Sequence, residues 1–99
     1  GIALEALRLI RNLFQKQVVE LIEAGGAKFV QSTISNMEGG HAMTWENMLA
    51  VVGVLNAPLW TVVKCAETIS PGTTLGDRAK ALGAAIQLLE KLLTVEEET

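Results

Sequence analysis

Few side chains in this sequence could bind a metal ion or act as a nucleophile. His41 and Cys65 are the one histidine and the one cysteine of the chain. A structural zinc site takes about four ligands of these two types. The sequence therefore predicts no metal site and no bound cofactor. We expect His41 to be an ordinary loop residue, and Cys65, which is flanked by Val63 and Ala66, to be a small buried apolar residue.

Two other patterns could indicate chemistry. The glycine pairs Gly25-Gly26 and Gly39-Gly40 lack the spacing of nucleotide-binding loops, so turns or helix caps are the better interpretation. Carboxylates occur on predicted solvent-facing helix sides and in the C-terminal tail, without the convergent pair that acid/base catalysis requires. We therefore name no catalytic residue and expect that the protein is not an enzyme.

The composition favours a protein partner. The 99 residues are 49% apolar and 19% charged, whereas soluble domains average roughly 25% charged residues. A single small domain cannot bury so many apolar side chains alone, so we expect a homo-oligomer, most simply a dimer. A net charge of −3 with only 8 Lys and Arg disfavours nucleic acid and anionic lipid as partners. The single cysteine and the absence of a basic leader-like segment predict a cytoplasmic protein.

An uncharged stretch, residues 48–63, lies in the middle of the chain and is predicted to form the buried centre of the fold. Pro58 interrupts it, and a proline disfavours helical geometry at the residue before it. We therefore predict two helices, residues 45–56 and 58–69, with Thr44 as the N-cap of the first. The stretch is shorter than the roughly 20 apolar residues of a membrane-spanning helix, so no membrane span is predicted.

Three further helices are predicted around this centre. Apolar residues recur at helical spacing over residues 2–24, on an arc wide enough for two packing partners, and Gly25-Gly26 ends the pattern. Residues 27–37 show a weaker helical pattern, with a β-strand as the alternative. Ser70-Pro71-Gly72 breaks the chain, and Thr74 and Asp77 have the spacing of a capping box for a helix over residues 74–95. Residues 96–99 would be a frayed acidic tail. We thus expect one all-α domain over residues 1–99, a compact bundle or short solenoid of four to five helices.

The chain resembles itself after 44 residues. This offset places Asn12 on Asn56, and Val18-Val19 on Val62-Val63. It lies within the armadillo and HEAT repeat period of about 40 to 47 residues. Residues 6–13 and 18–26 also resemble the end of one armadillo repeat followed by the first helix of the next. This resemblance implies stacked helices and a protein-binding groove.

A second resemblance covers more of the chain. An Ala- and Leu-rich first helix, the segment Asn47 to Leu55 and the segment Gly76 to Gly83 occur in this order. This order resembles a family of small helical bacterial and archaeal proteins of unassigned function that accompany formate-dehydrogenase and heterodisulfide-reductase-type redox systems. The resemblance implies an accessory subunit of a multi-protein redox enzyme complex. It supplies no catalytic motif.

The sequence is best interpreted as a non-catalytic protein-protein interaction module that self-associates through surplus apolar helix faces. An accessory redox subunit is one alternative; a binder of a small apolar ligand, with a cavity beside Trp60, is the other. The two tryptophans could be core residues or part of an adaptable apolar surface. The residues that we predict at an interface are apolar and near the central or last helices: Met37, Met43, Trp45, Met48, Trp60, Leu88 and Leu92.

Overall fold

The computed structural model describes residues 1–41, 43–69 and 75–98, and within these it contains six α-helices and no strand. The all-α prediction is confirmed. The six helices, in chain order, are α1 (Ile2–Ile10), α2 (Gln15–Ala24), α3 (Gln31–Glu38), α4 (Trp45–Val54), α5 (Leu59–Thr68) and α6 (Leu75–Glu98).

The predicted helix over residues 2–24 is wrong, because it is two helices. α1 ends at Ile10 and α2 begins at Gln15. Asn12 between them has a left-handed backbone with φ 59°, and asparagine tolerates this region better than most residues. The backbone N–H of Leu13 donates to the carbonyl of Arg8 across the turn. The apolar pattern continues through the break and hides it, so the described residues form six helices rather than the four or five predicted.

The same turn recurs 44 residues later, between α4 and α5. Asn56 has φ 53°, and the N–H of Ala57 donates to the carbonyl of Val52. The predicted break ahead of Pro58 is present, and the axes of α4 and α5 differ by 110°. Arg11 joins the two turns, since its Nε donates to Leu55 O at 2.7 Å and its Nη2 to Asn56 O at 2.8 Å. We call residues 11–14 and 55–58 together the paired turns.

α1 is the most enclosed helix. It packs against α3, α5 and α6, and its contact with α6 is the most extensive between any two helices. Five of its nine residues are buried: Ile2, Ala3, Leu4, Ala6 and Leu7. Because the first helix packs on the last, the domain closes into a bundle.

The predicted centre at residues 45–69 therefore needs correction. Eight of the ten residues of α4 are apolar or glycine, but only Val51 and Val52 are buried. The helix lies near the surface, with its main contacts to α2. A high apolar content along a helix therefore does not show that other helices surround it. The wide apolar arc of residues 2–24, in contrast, correctly indicates more than one packing partner for α1.

The remaining boundaries differ by a few residues from those predicted. The segment predicted at residues 27–37 is helical from Gln31 to Glu38, after Gly26 turns the chain with φ 98°. Thr44 is the N-cap of α4, because its Oγ1 accepts from the N–H of Asn47 at 3.1 Å. α6 continues to Glu98, so residues 96–98 extend the helix. Ser70-Pro71-Gly72, Thr74 of the predicted capping box and Thr99 lie outside the described residues.

Candidate interaction surface and apolar cavity

One face of α4 is apolar and open to solvent. Trp45 is 59% exposed, and Leu49, one turn further along, is also exposed. Residues four apart lie on the same side of a helix, so the next position on this side is Gly53, which is exposed as well. We call Trp45, Leu49 and Gly53 the α4 face.

Gly53 has no structural reason to be glycine within the domain. It lies inside α4 with a helical backbone, and a Cβ added there would meet no heavy atom within 4 Å. Glycine inside a helix costs about 0.5–1 kcal/mol relative to alanine. A surface that must approach another backbone closely would account for its presence.

α5 carries a second pair of exposed apolar residues. Trp60 is 45% exposed and Val63, three residues later, is exposed too. Neither tryptophan is therefore a core residue. Phe14 is also exposed and belongs to the first of the paired turns, and Trp60 follows the second by two residues.

The other predicted interface residues are less accessible. Met37 is 2% exposed and belongs to the core, so in this fold it cannot contact a partner, which corrects its assignment to an interface. The position of Met37 in the helical pattern does not distinguish a methionine of the core from one at the surface. Met43, Met48, Leu88 and Leu92 are half-buried.

A buried polar cluster joins three helices at Glu38. Glu38 is 5% exposed, and its carboxylate accepts from Nε of Arg8 at 2.6 Å and from Nη2 of Arg8 at 2.9 Å. Gln15 Nε2 donates to the same carboxylate at 3.1 Å. The hydrogen bonds to Glu38 raise the pKa of the Arg8 guanidinium further. The sequence pattern does not indicate this cluster, because Glu38 precedes two glycines and looks like part of a loop.

Arg78 connects α6 to the same region. Its Nη2 donates to Glu5 Oε2 at 2.8 Å and to the backbone carbonyl of Glu38 at 3.3 Å. Its Nε and Nη1 have no hydrogen-bond partner among the residues that the structure describes. As far as the described residues show, these two nitrogen atoms can donate to a ligand or to water.

Arg78 borders an apolar cavity of about 390 Å³. The volume is at the lower end of the range for small-molecule sites. The side chains that line it are mostly aliphatic or sulfur-containing and come from α1, α4, α5 and the segments beside them: Leu4, Met43, Met48, Val62, Cys65 and Ile69. Trp60 does not line this cavity.

Cys65 and the amino group of Gly1 also border the cavity. Burial raises the pKa of the Cys65 thiol, which keeps it protonated and weakly nucleophilic. The thiol lies 3.9 Å from the carbonyl of Ala85. The amino group of Gly1 donates to the carbonyl of Met37, and burial lowers the pKa of that amino group.

Within the described part of the chain, no group of three or more His, Cys, Asp or Glu side chains is close enough to hold a metal ion. His41 is exposed.

Among the same residues, no single helix has the length and apolar content to cross a membrane. α4 and α5 reach that length and apolar content only when they are taken together as a bent pair.

Comparison of the chain with models of known protein families, with curated proteins and with solved structures gives no match.

Proposed function

We propose that this protein is a non-catalytic helical interaction module whose α4 face binds the α4 face of a second copy. The observation that carries the proposal is the exposure of Trp45 and Leu49 on one side of a helix. Tryptophan is enriched among the residues that contribute most to binding at interfaces. Burial of a large aromatic side chain removes about 150–250 Å² of surface from water.

The chemistry of α4 suits contact with an identical helix. Glu46 is its only charged residue, so two copies would bring few like charges together. In a two-fold dimer the same patch meets itself, so the exposed tryptophan of each copy would be buried in one contact. Gly53 would let the two helix backbones approach closely, which gives this glycine a role that the single domain does not.

The recurrence of the asparagine turn after 44 residues supports a helical-repeat organisation of the module, in the sense of the armadillo and HEAT period. We further propose that the helices of this module stack on further helices and that the protein is cytoplasmic. The low charge and the single cysteine of the chain support the location.

The test is the molar mass of the protein by light scattering from micromolar to millimolar concentration. We expect a concentration-dependent dimer, and we expect Trp45→Glu and Leu49→Glu each to weaken it at least tenfold, because a charge would be buried in the contact. Val30→Glu is the matched control, since Val30 is equally exposed but lies before α3.

Two outcomes would contradict the proposal. One is a strict monomer up to millimolar concentration. The other is a dimer that Val30→Glu weakens as much as the two α4 variants do. Circular dichroism of each variant establishes that it remains folded, so that a change in mass reports association alone.

A further inference from the structure

We propose that the cavity bordered by Arg78 binds one medium-chain fatty carboxylate, or a ligand of the same chemistry, with its alkyl chain inside and its carboxylate on Arg78. The site is separate from the α4 face. Its lining side chains and the guanidinium of Arg78 define the ligand class.

The lining favours an alkyl chain. Leu4, Val62 and Ile69 offer aliphatic surface, and Met43 and Met48 are flexible and polarisable, so they adapt to a chain of variable shape. The volume of about 390 Å³ admits a single short acyl chain. The two chains of a membrane lipid would exceed it.

The polar end of the cavity favours a carboxylate. Arg78 uses Nη2 on Glu5 and on the Glu38 carbonyl, while Nε and Nη1 keep their N–H groups available among the described residues. A guanidinium donates strong charge-assisted hydrogen bonds to carboxylates. The carboxylate of Glu38 competes little for Arg78, since Arg8 and Gln15 already occupy it. The amino group of Gly1 is a weaker candidate, because it already donates to Met37.

The first experiment is calorimetric titration with hexanoate, octanoate and decanoate below their micelle concentrations. Each buried methylene contributes about 0.8 kcal/mol, which is about fourfold in affinity. Successive carboxylates in this series differ by two methylenes, so we expect the affinity to rise about fifteenfold per step until the cavity is filled and then to level off. Absence of saturable binding for all three carboxylates would overturn the proposal.

The second experiment tests whether the alkyl chain of the ligand lies in the cavity. Ala66 lies on the cavity rim and is exposed, so Ala66→Trp should narrow the entrance without unfolding the protein. We expect it to lower octanoate affinity at least tenfold. Ala84→Trp is the matched control, because Ala84 is exposed on α6 and does not line the cavity. If the two variants bind octanoate with equal affinity, octanoate binds outside the cavity and the proposed site is wrong.

The third experiment tests the head group. Arg78→Met should lower octanoate affinity about tenfold or more and leave octanol affinity unchanged, because only the carboxylate loses a charge-assisted bond. Glu5→Gln removes the ion pair between α1 and α6 but keeps the charge of Arg78, so octanoate should still bind. If both variants weaken octanoate equally, or if octanol binds the unmodified protein as well as octanoate does, Arg78 does not bind the head group.

Discussion

The carboxylate of Glu38 and the guanidinium of Arg8 form a two-point ion pair, with 2.6 Å between Nε and Oε2 and 2.9 Å between Nη2 and Oε1. The pair joins α3 to α1. Arg8 also donates from Nη1 to the carbonyl of Leu13 at 2.8 Å, which ties the pair to the turn before α2. Three neighbouring segments therefore depend on one buried carboxylate.

Glu38→Gln should lower the free energy of unfolding by about 3–5 kcal/mol, because the charge of Arg8 would remain in a largely buried place without its partner. Chemical denaturation followed by circular dichroism measures this change. Glu67→Gln is the control, since Glu67 is exposed on α5, and it should change stability by less than about 0.5 kcal/mol. A similar small effect for Glu38→Gln would show that the pair is dispensable.

Asn12 and Asn56 have left-handed backbone conformations. Their replacement should therefore change the stability of the protein in a way that depends on the backbone preference of the new residue. Asn12→Ala and Asn56→Ala should each lower stability by about 1 kcal/mol, because a β-carbon is disfavoured there. Asn12→Gly should be neutral or stabilising, since glycine adopts this region freely.

The control for the asparagine turns is Asn36, which lies within α3 on the exposed side. Asn36→Ala should have the opposite sign and stabilise the protein slightly, because alanine is the better helix former. Thermal unfolding of the four variants measures the series. Equal effects at Asn12 and Asn36 would argue against a special role for the turn backbone.

The asparagine turns also mark the limit of what the sequence could predict. Pro58 indicates the break between α4 and α5, since proline restricts the residue before it. Asn12 carries no such signal, because asparagine is also acceptable inside a helix. The 44-residue match of Asn12 with Asn56 was the one clue that the first predicted helix could break as the central one does.

The candidate sites were predictable only in part. The exposed Trp45 follows from its position beside a predicted loop, whereas the burial of Met37 depends on how α3 packs against α1 and α2. The ion pair of Arg8 and Glu38 joins residues 30 apart in the sequence. The cavity is lined by residues of α1, α3, α4, α5 and α6 and of the segments beside them. Such contacts arise from tertiary packing, which local periodicity does not encode.

The buried thiol of Cys65 should make stability fall in alkaline solution. In the unfolded chain a cysteine ionises near pH 8.5, while burial raises the pKa of Cys65 in the folded protein. Above about pH 8.5 the unfolded chain therefore loses this proton first, and stability decreases until the folded thiol ionises as well. Below that pH the thiol contributes no pH dependence.

The measurement for Cys65 is the unfolding free energy at pH 7.5 and pH 9.5, in the unmodified protein and in Cys65→Ala. The unmodified protein should lose up to about 1 kcal/mol more than the variant between the two pH values. Loss of packing in the variant affects both pH values equally, so the difference isolates the thiol. Parallel pH profiles would show that the folded thiol ionises as it does in the unfolded chain.

A substitution at Gly53 should change the stability of the domain and its proposed association in opposite directions. Gly53→Ala should raise the free energy of unfolding of the monomer by about 0.5–1 kcal/mol, because the added Cβ has open space and alanine favours the helix. The same methyl group should weaken the dimer if two α4 faces approach closely there.

Gly83→Ala is the matched control, since Gly83 is also an exposed helical glycine with no heavy atom within 4 Å of an added Cβ. Gly83→Ala should stabilise α6 similarly and leave the molar mass unchanged. If Gly53→Ala stabilises the monomer and leaves the association constant unchanged, the α4 face is not where two copies meet.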